Sequence, residues 1–81
     1  MQQVSFLRLP AVMAHRGRGR ASTYNDVAAG LLTEPVKLGP SASGWPDFEI
    51  SAINRARIAG KTDDEIRALV SELHAMRKAA A

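Results

Sequence analysis

Residues 16–44 read Arg16-Gly17-Arg18-Gly19-Arg20, then Ala21-Ser22-Thr23-Tyr24-Asn25-Asp26-Val27-Ala28-Ala29-Gly30, then Leu31-Leu32-Thr33-Glu34-Pro35-Val36-Lys37-Leu38-Gly39-Pro40-Ser41-Ala42-Ser43-Gly44. The first five residues form a basic turn. The next ten form a short helix that begins near Gly19 or Arg20 and stops at Gly30. Val36-Lys37-Leu38 alternates apolar and polar between Pro35 and Gly39-Pro40, which predicts a strand. Ser41-Ala42-Ser43 is then the tip or return of a tight hairpin. A turn that aims a helix outward, a positive lead-in and an adjoining hairpin make the layout of a winged helix-turn-helix. In that layout the second helix enters the DNA major groove.

The flanking residues complete the pattern. Phe6-Leu7-Arg8-Leu9 reads as a short strand, with Phe6 and Leu7 or Leu9 facing the core. Pro10 suits the first turn of a helix running to His15 or Arg16, with Val12 and Met13 inward and Gly17 as its end. Helix two carries Tyr24, Val27, Ala28 and Leu31 at spacings of three and four, which predicts its buried face. The opposite face shows Arg20, Ser22, Thr23, Asn25 and Asp26. Trp45, the sole tryptophan, closes the hairpin and is expected to plug the core.

Pro46-Asp47-Phe48-Glu49 opens helix three, since proline and acids suit a helix start. It runs to about Ala59, with Ile50, Ile53 and either Ala56 or Ile58 inward. After the Gly60-Lys61 turn, Thr62 and Glu65 have the spacing of a capping box. Helix four follows with a stripe of Ile66, Leu69, Val70, Leu73 and Met76, the strongest periodic signal in the chain. The fold class is therefore mainly α with a small β-hairpin wing, plus an extra C-terminal helix. The winged helix-turn-helix occupies residues 6–59. The amphipathic helix, residues 62–78, packs either on that domain or on a neighbouring protomer.

Composition narrows the function. At 81 residues, one domain is expected, and so small a core is marginal alone. The sequence has no cysteine, so no disulfide, thiolate metal site or cysteine nucleophile is available. No apolar run is long enough to span a bilayer and no signal peptide is visible, so the expected location is cytoplasmic. The net charge of +3 sits wholly in residues 1–40. Such a local excess attracts phosphate backbones.

Catalysis has little support. His15 and His74 fall on different helices and in no metal-ligand spacing. Asp63-Asp64-Glu65 reads as a helix cap rather than a metal site. Gly17-x-Gly19 follows no strand and lacks the third glycine of a phosphate loop. No catalytic residue, metal or cofactor is assigned. Arg16, Arg18, Arg20 and Lys37 are the candidate phosphate contacts, Ser22, Thr23 and Asn25 the candidates for base edges, and Ser41 the candidate DNA contact at the hairpin tip.

Leu7-Arg8-Leu9-Pro10-x-Val12, Tyr24-x-x-Val27-x-x-Gly30, Pro35-Val36-Lys37-Leu38-Gly39-Pro40 and Gly44-Trp45 together resemble the AlpA family. These are phage and prophage winged helix-turn-helix regulators akin to excisionases, and the winged helix-turn-helix is of the kind also found in MerR proteins. The resemblance covers about residues 6–59. It implies double-stranded DNA as partner, and one of two roles. One is an excisionase, a recombination directionality factor that promotes integrase-mediated excision. The other is a transcriptional regulator of integrase or excision genes. It also implies a tyrosine-recombinase integrase as a partner, and self-association on DNA with bending. Two positions depart from the family pattern. Arg18 stands where the turn usually has an apolar residue, and Ser41 stands at a wing-tip position commonly held by arginine. A protein-interaction adaptor that kept the fold without DNA is the remaining class. Asp26 and Glu34 weigh toward it, and the arginine turn weighs more against it.

Overall fold

The computed structural model describes residues 3–79. The order of elements is β1 (Phe6–Leu7), α1 (Leu9–Arg16), α2 (Arg20–Ala28), β2 (Val36–Gly39), β3 (Ala42–Pro46), α3 (Asp47–Ile58) and α4 (Asp63–Ala79). The chain is mainly helical with a small antiparallel sheet, the architecture of a helix-turn-helix with a wing.

The sheet has three strands in the order β1-β3-β2. Leu7 pairs with Trp45 and Val36 with Gly44, with an irregularity between Lys37 and Gly39. The expected strand over 6–9 shrinks to two residues, because Arg8 is already the extended N-cap of α1. Pro10 then lies in the first turn, where no backbone N–H is needed. Leu7 shares the Trp45 face of the sheet, while Phe6 is on the other face and 46% exposed, against the expectation for Phe6. Gly44 is a packing requirement. A Cβ there would lie 3.1 Å from the Leu7 carbonyl oxygen and 3.0 Å from Leu38 Cδ1.

Helix ends are set by glycine. Gly30, with φ of 77°, takes the left-handed conformation that ends α2. The Leu31 N–H donates to the Asp26 carbonyl at 2.8 Å and the Gly30 N–H to that of Val27 at 3.2 Å, a full Schellman motif. The core is Val12, Leu32, Trp45, Ile50, Ile53, Ile66, Val70 and Leu73. Trp45 is the expected plug, and its indole N–H donates to the Thr33 carbonyl at 2.7 Å. On α3 the third inward position is Ala56. Ile58 is 86% exposed, because it falls well off the line of Ile50 and Ile53 at helical periodicity.

α4 is capped as its sequence predicts. The Glu65 N–H donates to Thr62 Oγ1 at 3.2 Å and the Thr62 N–H to Glu65 Oε1 at 2.9 Å. Hydrogen bonding from Thr62 to the carboxylate, its backbone N–H first, holds the Glu65 carboxyl below its ordinary value. Of the two placements open for α4, the structure has the first: the helix covers its own domain. Ile66, Val70 and Leu73 are buried and Leu69 is partly so, which leaves only Met76 of the stripe half-exposed. Polar straps finish the seam. Arg77 makes a two-point ion pair with Glu49 of α3, at 2.8 and 2.6 Å, and donates to the Glu34 carbonyl at 2.7 Å. The Glu34 N–H donates to His74 Nε2 at 3.0 Å, and Arg67 donates to the Ala29 carbonyl at 2.9 Å.

Candidate nucleic-acid interface

Helix α2 keeps Val27 and Leu31 of its expected apolar face against the core but turns Tyr24 and Ala28 outward. Its buried residues are Thr23 and Asp26, while Tyr24 is 45% exposed. The inward line is thus shifted by one residue, about 100° around the axis. The cause is electrostatic. Asp26 Oδ2 accepts from Arg16 Nη2 at 2.8 Å and from Arg18 Nε at 3.1 Å, and Asp26 Oδ1 accepts from Arg18 Nη2 at 3.1 Å. A carboxylate anchored to the end of α1 and to the turn must point inward. Burial works to raise the Asp26 pKa, but the hydrogen bonds and charges of Arg16 and Arg18 outweigh it and hold the carboxyl below its ordinary range.

This corrects two of the candidate contacts, Arg16 and Thr23. The Arg16 side chain is only 4% exposed and is spent on Asp26, so it is a structural residue rather than a phosphate contact. Arg18 gives one edge of its guanidinium, Nε and Nη2, to Asp26, but at 47% exposed it stays within a partner's reach. It fills the turn position where an apolar residue was expected, and the ion pair replaces the apolar plug. Thr23 is fully buried and its hydroxyl donates to the Gly19 carbonyl at 2.8 Å, so its side chain is not available to read bases.

The other candidates lie where a partner can reach them. Arg20 and Asn25 are exposed on α2 and Ser22 is half-buried. Lys37 on β2 and Ser41 at the hairpin tip are exposed. Tyr24 joins the outward face, and Arg20 stacks over it with its guanidinium carbon 6.0 Å from the ring centroid. Apolar spacing misses Tyr24 because it counts the ring as core. The available signal is Thr23 and Asp26, three apart on one face and preceded by Arg16, Arg18 and Arg20.

The start of α2 also differs from those of α3 and α4. It has no acid in its first turn, whereas α3 begins with Asp47 and Glu49, and α4 with Asp63, Asp64 and Glu65. The positive end of α2 therefore carries Arg20 with no negative side chain to offset it. The acids of α4 are already engaged: Asp63 pairs with Arg57 at 3.3 Å and Asp64 with Arg67 at 3.0 Å. Among the described residues no group of three or more histidine, aspartate or glutamate side chains could hold a metal ion. No helix among them is long and apolar enough to cross a membrane.

Over 59 residues the chain is 36% identical to the uncharacterized protein ORF88 of Enterobacteria phage P4, a match spanning 73% of this chain and 67% of that protein. No family model matches the chain, and no solved structure matches it.

Proposed function

The chain belongs to the family of the phage P4 protein ORF88, and on that premise we propose that it binds double-stranded DNA in a sequence-specific way as part of a mobile genetic element. The observation that carries this reading is the outward face of α2. Arg20, Tyr24 and Asn25 stand exposed at an uncapped, positively charged helix start, followed by a hairpin bearing Lys37. Uncompensated positive charge at a helix N-terminus favours phosphate, and long polar side chains beside it suit base edges.

Within that class the role is that of an excisionase of the AlpA type, which bends DNA so that a tyrosine-recombinase integrase excises the element. Regulation of integrase or excision genes is the second reading, and likeness to a phage protein supports only the shared element, an origin in a mobile genetic element. Any self-association on DNA must use a surface other than the α4 stripe, because that stripe is already in the core. An adaptor without DNA is disfavoured by Arg20, which has no acidic partner among the described residues.

The test is affinity for duplex DNA at two salt concentrations. Binding that weakens steeply with salt, and that retains a preference for one sequence over a scrambled competitor, is expected. Absence of binding at low salt would leave the adaptor reading.

A further inference from the structure

Arg20 and Tyr24 form a unit that the phosphate reading of Arg20 does not explain. Arg16, Arg18, Arg57, Arg67 and Arg77 are each bonded to a carboxylate, whereas among the described residues Arg8, Arg20 and Arg55 are not, and of these three only Arg20 lies over an aromatic ring. Arg20 forms no hydrogen bond or ion pair with the described residues, and its guanidinium lies over the Tyr24 ring, 6.0 Å from the centroid. Tyr24 in turn is 45% exposed at mid-helix. Side chains on a helix lean toward its N-terminus, so a ring at i+4 reaches back to meet a side chain at i. A free arginine at a helix start would extend toward a flanking phosphate. One drawn over the ring is held instead along the outer face of α2.

We propose that Tyr24 is a positioning residue that holds the Arg20 guanidinium for two-point recognition of a guanine in the major groove. This rests on the DNA-binding reading of the same face. Three steps support it. Cation–π attraction, worth about 0.5–1 kcal/mol at an exposed site, biases the guanidinium toward the ring without consuming its N–H donors. The planar fork matches guanine O6 and N7, which no ammonium can do. Ordering the side chain before binding removes part of the entropy cost of the contact.

The experiment selects a preferred duplex from a randomised library with the full chain. It then measures affinity for that duplex and for its single-base variants, at several salt concentrations. The parent should select guanine at one position and lose about tenfold or more when it is replaced. Arg20→Lys and Tyr24→Leu should each abolish that preference, leave preferences at other positions intact and keep the salt dependence. Tyr24→Phe should retain the preference, since the ring remains. Because both residues are exposed, all variants should melt like the parent. Guanine preference surviving in Tyr24→Leu overturns the proposal. So does an Arg20→Ala variant that loses affinity equally for all sequences with a salt slope lowered by about one, which would make Arg20 a phosphate contact. A parent that binds duplexes without selecting guanine overturns it while DNA binding stands. A parent that binds no duplex overturns both.

Discussion

Asp26 and Arg16 meet at 2.8 Å with side chains 8% and 4% exposed, and this buried pair decides which face of α2 looks outward. Arg18 closes on the same carboxylate from the turn. One acid thereby ties α2 to the end of α1 and to the turn between them, so the two helices keep a fixed relation. Arg16 is then a structural device, and the exposed charge of this half comes from Arg8, Arg20 and Lys37, with Arg18 half-exposed beside them.

Asp26→Asn should therefore destabilise the fold by about 3–5 kcal/mol, since it leaves the Arg16 charge buried and unpaired. The pH dependence has a definite sign. The folded Asp26 carboxyl titrates below its ordinary value of 3.8, so the unfolded chain takes up the proton first as pH falls. The stabilisation is complete above about that pH and is lost as pH drops through the lower, folded value. Denaturant melts between pH 6 and 2.5 should show an acid loss of stability in the parent that is much reduced in Asp26→Asn. Equal acid sensitivity in both would assign the loss to other carboxylates.

How much of this was legible in the sequence depended on whether the signal was local. The capping box at Thr62 and Glu65, the glycine stop at Gly30, the strand at Val36 and the stripe from Ile66 to Leu73 are all patterns within a few residues, and each is found in place. The inward face of α2 was not legible, because ranking by hydrophobicity places a tyrosine inside and an aspartate outside. Only the partners of Asp26, eight and ten residues away, reverse that. Glu49 and Arg77 are 28 residues apart, beyond any periodic pattern. A two-residue β1 is too short for alternation to say whether Phe6 or Leu7 faces the core. Of the candidate site, Arg20, Asn25, Lys37 and Ser41 lie on the surface as read. Arg16 and Thr23 do not, and Tyr24 lies outward where apolar spacing places it inside.

The fit of α4 predicts that it cannot be removed. Ile66, Val70 and Leu73 belong to the same core as Trp45 and Ile53. A chain ending at Gly60 would expose that core and leave fully buried Glu49 without Arg77. It should show no cooperative thermal transition. Ile66→Ala alone should cost about 2–5 kcal/mol, whereas Met76→Ala should change stability little, because that side chain is 54% exposed. A truncated chain that melts cooperatively would return α4 to the role of a protomer contact.

Gly44→Ala tests the sheet. The added methyl meets a backbone oxygen, Leu7 O at 3.1 Å, which cannot swing aside as the Leu38 side chain can. Either β1 separates from β3 or the chain strains. We expect a loss of about 1–3 kcal/mol, the range for overpacking a tight site. Gly39→Ala, where nothing lies within 4 Å of the added carbon, should be far milder. Similar melting temperatures for the two variants would contradict the close approach at Gly44.

The final prediction separates two neighbours on α2 that the sequence presents as equivalent polar readers. Thr23 is fully buried and bonded to the Gly19 carbonyl, while Asn25 is exposed on the outward face. Their positions are two apart, about 200° around the axis, so they cannot both serve the same groove. Asn25→Ala should leave the melting temperature nearly unchanged and weaken binding to the selected duplex by about 1–3 kcal/mol, with less loss on a scrambled one. Thr23→Ala should do the reverse. It removes a buried hydroxyl and its bond at the start of α2, costing about 1–2 kcal/mol of stability, and once folded it should keep the parent's sequence preference. Parallel melts and affinities on the two duplexes distinguish these outcomes. If Thr23→Ala altered sequence preference while Asn25→Ala did not, the face of α2 assigned to DNA would be the wrong one.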